Sequence, residues 1–334
     1  MGWIDAGERL EDTVRIVLVT PVSEPALEGR VTGNDVTARR WEDILRKLGH
    51  DVTLQNRYED GSADALVALH ARKSAPSIQA FMAHNPNKPV VVALTGTDLY
   101  EDYPEDETVC QSLESASQVV TLQPAALDVL DASIRPKTSV IYQSAMPFVP
   151  ALKKAEDCFQ VCLIGHLRAV KDPLLAIEAV RKLDPLSRTR IVHAGAAADD
   201  ALEARAREAS DEKGSRYRWI GALPHEEARV LIARSHALLL TSRAEGGANV
   251  LSEALAIGVP ILASRVNGVE GLLGAGYPGL FPPGDADALA EALARAEHDE
   301  IFYRRLELAG RKLAPMVAPS WEMRSWQQLL DALK

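Results

Sequence analysis

Cysteine is scarce: Cys110, Cys158 and Cys162 are all that 334 residues contain. Their spacing fits no metal-ligand pattern, so they read as buried thiols in a reducing compartment rather than as a disulfide or metal framework. Long apolar runs are missing too, none approaching the ~18 residues needed to cross a bilayer. Asp5, Glu8, Glu11 and Asp12 stand where a secretory leader would be basic and then apolar, and the expected location is the cytoplasm. No Asp-x-Asp pair falls at the end of an expected strand, so no metal and no resident cofactor are expected. Positive charge is short in the first half: residues 1–150 hold 13 Lys and Arg against 22 Asp and Glu, nine of the chain's ten net negative charges. Such a surface disfavours nucleic acid and anionic membranes as partners, and a small polar substrate suits it better.

What is present is an ordinary globular composition, 47% hydrophobic and 25% charged, in a chain long enough for two well-filled cores. Apolar runs at residues 14–20, 52–54, 65–69, 90–94, 118–122 and 139–142 read as buried parallel strands separated by helical patterns. The first such helix spans about residues 34–48, with Trp41, Ile44, Leu45 and Leu48 as its apolar stripe and Gly49 as its stop. Periodicity lapses around Pro147 and Pro150, then strand signals resume at 159–164, 190–194, 217–220, 237–240 and 259–263. The expectation is an α/β chain of two Rossmann-like, doubly wound parallel-sheet domains, residues 1–150 and 151–319, followed by an amphipathic helix within 320–334.

The segment from Glu245 to Glu253 carries the most chemistry. It places two carboxylates eight positions apart, one in a glycine-rich loop and one two turns into the helix that the loop starts. A helix start gathers unpaired amides and the positive end of a dipole, which suits a diphosphate. Glu253 shares a helical face with Asn249, and its two oxygens can accept from the vicinal hydroxyls of a ribose.

Together with Gly258-Val-Pro260 and Ala263-Ser264, this pattern resembles the E-x7-E signature of GT4 glycosyltransferases, which have the GT-B fold. The resemblance implies a cleft between the domains and a terminal helix that crosses back to the first. It implies that Glu245 lies by the donor sugar and Glu253 on the ribose of a UDP-sugar, with the backbone of Gly246, Gly247, Ala248, Asn249 and Val250 facing diphosphate and sugar. The loop Gly165-His-Leu-Arg-Ala-Val-Lys-Asp172 is similar to the family's G-R-L-x-x-x-K-G. Lys171 matches; His166 holds the usual arginine position and Arg168 stands two residues on. Glu245, Lys171 and Arg168 are the implied catalytic residues, the two cations stabilising a developing UDP leaving group. Leu223 is the implied contact to the base, and Gly33 belongs to a segment, 29–37, similar to the loop that closes over the donor.

One departure bears on the acceptor. In Val90-Val-Val-Ala-Leu-Thr95-Gly96-Thr97-Asp98, Thr95 replaces the family's histidine beside the reacting centre. Threonine does not take a proton near pH 7, so an acceptor that is already an anionic nucleophile fits better. Arg72, at the end of a strand in His70-Ala-Arg72-Lys73-Ser74, is placed to bind an oxyanion. Five segments from Gly33 to Pro173, among them Leu69-His-Ala-Arg-Lys-Ser74 and Ile141-Tyr-Gln-Ser-Ala145, resemble the selenosugar synthases of selenoneine biosynthesis. That resemblance implies UDP-N-acetylglucosamine as donor, selenophosphate as acceptor, a 1-selenosugar as product, and functional coupling to a selenophosphate-producing enzyme. His70, Arg72, Thr95, Gly96, Thr97 and Asp98 would then form the acceptor pocket. A conventional GT4 enzyme with a hydroxyl or thiol acceptor, and a non-catalytic UDP-sugar-binding protein, remain the alternatives.

Overall fold

Buried Val, Ile and Leu runs bounded by helices build two sheets that are parallel throughout. The computed structural model describes residues 13–21, 31–148 and 152–333. The first sheet comprises β1 (Arg15–Val19), β2 (Asp51–Gln55), β3 (Ala65–Leu69), β4 (Val90–Ala93), β5 (Gln118–Thr121) and β6 (Thr138–Val140), in the order β2-β1-β3-β4-β5-β6. The second comprises β7 (Phe159–Ile164), β8 (Thr189–Ala194), β9 (Tyr217–Trp219), β10 (Ala237–Leu240), β11 (Ile261–Ser264) and β12 (Leu280–Phe281), in the order β12-β11-β10-β7-β8-β9. Eleven of the twelve strands stand where the apolar runs put them, give or take two residues. β12 was not expected, since two residues leave no periodicity to read. Residues 149–151, between the sheets, lie outside the described ones.

The first helix, Gly33–Lys47, starts on a capping box: the Thr32 side chain accepts from the Asp35 amide while the Asp35 carboxylate accepts from the Thr32 amide. Trp41, Ile44 and Leu45 are buried on its inner stripe, Arg46 and Lys47 complement its dipole, and Gly49 follows its end at φ +94°.

The last helix, Pro319–Asp331, leaves the second domain and seats Trp326, Leu329 and Leu330 in the core of the first sheet. Trp326 meets Trp41 edge to face at 4.8 Å. The buried carboxylate of Glu322 accepts from Arg40 Nε at 2.9 Å, Trp41 Nε1 at 2.7 Å, the Ser144 amide at 2.9 Å and the Ser144 hydroxyl. Among the described residues no helix is long and apolar enough to cross a membrane.

Candidate functional site

In open parallel sheets a ligand crevice forms beyond the strand C-termini where the strand order reverses. In the second sheet that reversal lies between β7 and β10, so the loops that follow them must line the crevice. They are the Gly165–Asp172 segment and the loop leading to Glu245. In the first sheet the reversal lies between β1 and β3, and the loop after β3 begins at His70. The two reversals face each other across a cleft of about 330 Å³.

The two loops of the second domain are tied together. The Arg243 amide donates to Val170 O at 2.8 Å, and Thr241 Oγ1 donates to Lys171 O at 2.8 Å. Lys171 Nζ thereby comes within 2.6 Å of Glu245 Oε1, which also accepts from Ser242 Oγ at 2.5 Å. Glu245 is only 6% exposed, so the ammonium compensates a charge that burial would otherwise make costly. Arg168 lines the same wall. His166, at the family's arginine position, is otherwise engaged. Its Nδ1 accepts from the Ala196 amide at 3.0 Å, so the proton sits on Nε2, which faces Val31 O of the first domain at 3.3 Å.

The helix Asn249–Ile257 follows, ended by Gly258 at φ +86°. Glu253 is 7% exposed and points into the cleft, where His225 Nε2 donates to its Oε1 at 2.6 Å. That hydrogen bond, more than the burial that opposes it, raises the His225 pKa above its ordinary value. Leu223 lies two residues before, on the cleft wall.

On the opposite wall the structure divides the acceptor candidates. Thr95, Gly96, Thr97 and His70 line the cleft, and so does Lys73. Asp98 does not: it is fully buried, accepting from the amides of Thr95 at 2.9 Å, Gly96 at 2.8 Å and Ala71 at 2.9 Å, so it shapes the pocket's backbone instead of meeting a substrate. Arg72 is a second correction. Its guanidinium pairs with Asp102 at 2.9 Å, on the π-helical turn after β4, and does not line the cleft. His70 is buried at φ +69°, and burial lowers its pKa, so it is neutral. Its Nδ1 accepts from the Lys73 amide at 3.4 Å, which leaves the proton on Nε2, facing Thr97 Oγ1 at 3.1 Å.

The two domains touch through the glycine loop. A Cβ on Gly246 would stand 2.5 Å from the Thr95 carbonyl, and one on Gly247 would stand 2.6 Å from Leu122 Cβ. Glycine is required at both by close approach of the other domain. Gly33, at the start of its helix, is less constrained by the protein itself, with only Asn249 Nδ2 at 3.7 Å. The Asn249 side chain donates to Gly33 O at 3.0 Å and Thr37 Oγ1 at 3.2 Å and accepts from Arg40 Nη1 at 2.9 Å, so it ties the domains and leaves its backbone, the part expected to face the donor, on the cleft wall. Gly29, in the expected donor-closing segment, lies outside the described residues. Sequence reasoning missed Lys73 and His225 as cleft residues, and Ser242 as a buried donor to Glu245. A histidine two positions after the base-contact candidate was a visible signal; its partner 28 residues away was not.

Residues 148–313 match the family Glycosyl transferases group 1. TuaC of Bacillus subtilis strain 168, a protein named for teichuronic acid biosynthesis, is 38% identical over 82 residues, 25% of this chain and 21% of that protein. Glycosyltransferase 1 domain-containing protein 1 of Xenopus tropicalis is 26% identical over 270 residues, 72% of this chain and 77% of that one. Among solved structures, sucrose-phosphate synthase from Thermosynechococcus elongatus superposes with a TM-score of 0.76 at 18% identity, over 96% of this chain and 99% of that one. HepE of Anabaena in complex with UDP gives 0.73 at 15% identity, over 96% of this chain and 100% of that one. At such identities the likeness shows the fold, a GT-B fold.

Proposed function

From a second half that matches the glycosyl transferases group 1 family and a whole chain with the GT-B fold, we propose a metal-independent transfer of sugar from a UDP-sugar, UDP-N-acetylglucosamine, to selenophosphate. The observation that carries the donor side is a single cleft holding the Lys171–Glu245 pair, the helix start at Asn249 and the buried Glu253. A diphosphate lies at the helix start, ribose hydroxyls donate to Glu253, and Lys171 with Arg168 neutralises the leaving group. Selenium donates an electron pair to the anomeric carbon as the bond from that carbon to the UDP oxygen breaks. Water then cleaves the selenium–phosphorus bond, releasing phosphate and a 1-selenosugar.

The acceptor side rests on Thr95 and on the tautomer of His70. Neither presents a basic lone pair to the reacting centre, since the Nδ1 of His70 is taken by the Lys73 amide. Lys73 and the hydroxyls of Thr95 and Thr97 supply donors for an anion. A selenophosphate-producing enzyme would be the functional partner. The second reading, a group 1 enzyme with a hydroxyl or thiol acceptor, is favoured by one observation: the neutral His70 would become a base if the ring exchanged tautomers.

Mass spectrometry of products from UDP-N-acetylglucosamine with selenophosphate, or with sugar alcohols, inositol phosphates and lipids, tests this. A selenosugar with little transfer to hydroxyls is expected, unaffected by EDTA. Efficient hydroxyl transfer with no selenium product would leave the conventional enzyme, and activity lost to EDTA and restored by Mg²⁺ or Mn²⁺ would overturn metal independence.

A further inference from the structure

We propose that His225 is a positioning residue of the nucleotide site, holding Glu253 in the orientation that meets a ribose and making nucleotide affinity fall as pH rises. This rests on the reading of Glu253 as the ribose acceptor. Among the described residues, His225 is the one hydrogen-bond partner of the Glu253 carboxylate, which is otherwise desolvated at 7% exposure. A carboxylate accepts at roughly four lone-pair positions, so one imidazole donor leaves room for both hydroxyls of a ribose. Without the imidazole the side chain would rotate toward solvent, and a ribose would have to draw it back before binding.

His225 opens the helix His225–Arg234 and is partly exposed on the cleft wall. The charged groups facing it are few. Glu253 comes from the helix packed against it; Glu226 Oε1 lies 3.9 Å from its Nδ1; Arg229, on its own helix, is turned to Glu226 at 3.2 Å and to Met146 O at 2.8 Å. Two carboxylates against one engaged guanidinium favour the imidazolium, and the pKa is raised accordingly. The charged ring therefore persists above the ordinary histidine pKa of about 6.5. Its positive charge also sits in the cleft that receives an anionic diphosphate. When the proton leaves, the ring still donates from Nε2 but the charge is gone, so affinity declines as pH rises through the His225 pKa.

The probe is uridine diphosphate, titrated by calorimetry between pH 7 and pH 9, where its phosphates no longer change ionisation. Wild-type affinity should fall roughly three- to tenfold across that range, consistent with losing a charge-assisted bond. His225→Gln keeps a donor without titrating, so its affinity should be flat with pH and near the wild-type alkaline value. His225→Ala should be flat and weaker still, and its deficit should shrink with 2′-deoxyuridine diphosphate, which lacks one of the hydroxyls that Glu253 receives. A pH slope in His225→Gln equal to the wild-type slope, or wild-type affinity in His225→Ala at pH 7, overturns the inference. Glu253→Ala separates the two layers. If it binds uridine diphosphate normally, the ribose reading itself fails; if it loses binding while His225→Ala does not, only the inference fails.

Discussion

At the scale of single residues, the cleft works by pairing charges that burial would make costly apart. Lys171 and Glu245 are the clearest case, at 2.6 Å. Lys171→Ala should lower turnover more than donor affinity, because charge on the departing diphosphate grows toward the transition state. Steady-state kinetics beside calorimetry checks this, and equal losses in both would mean simple ground-state binding. Glu253→Ala should weaken UDP-sugar binding by about 2–4 kcal/mol, the worth of two hydrogen bonds to a charged acceptor. Thr95→His, restoring the family's usual residue, should not speed a selenophosphate reaction in which no proton is removed from the nucleophile. A gain in rate would argue for a hydroxyl acceptor.

At the scale of elements, the loop that begins at Gly165 after β7 is held by a buried histidine on β8. His193 lies between Tyr217 Oη at 2.7 Å and Gly165 O at 2.8 Å, and burial pushes its pKa down to about 4. The ring is neutral when folded and gains its proton near pH 6.5 when unfolded. Between those values the unfolded chain binds more protons, so stability is complete above about pH 6.5 and is lost as pH falls toward 4, by about 3 kcal/mol in all. Urea unfolding at pH 7 and pH 5 should show the loss, and His193→Gln should reduce its pH dependence. Much of this element level was legible beforehand: eleven strands, the helix stopped by Gly49 and the last amphipathic helix all follow from short-range periodicity and turn chemistry. β12 was not, being two residues long.

At the scale of the whole molecule, two of the contacts between the halves can be tested directly. The Gly246 to Thr95 approach is so close that Gly246→Ala must push the domains apart, seen as a larger radius of gyration in small-angle scattering together with weaker UDP-sugar binding. An unchanged radius would mean that the loop yields instead of the interface. The other contact is the terminal helix. Glu322→Ala removes a buried carboxylate and leaves Arg40 without its partner, which should cost roughly 3–5 kcal/mol in urea unfolding. Glu322→Gln should recover part of that, since an amide oxygen still accepts from Trp41 and Ser144.

The sequence by itself determined the fold class, the order of nearly all elements and which segments of the second half line the cleft. Each of these is written within short stretches: alternation and apolar runs for strands, a glycine loop before a helix and a carboxylate two turns later for the cleft segment. Only the tertiary structure decided which side chains were free to serve. Arg72 is captured by Asp102, Asp98 by the amides of its own loop, and Asn249 by Gly33, 216 residues away. His225 meets Glu253 in the cleft only because the helices that carry them pack together. Competition among hydrogen-bond partners is settled by which groups lie closest after chain closure, and sequence spacing does not contain that distance.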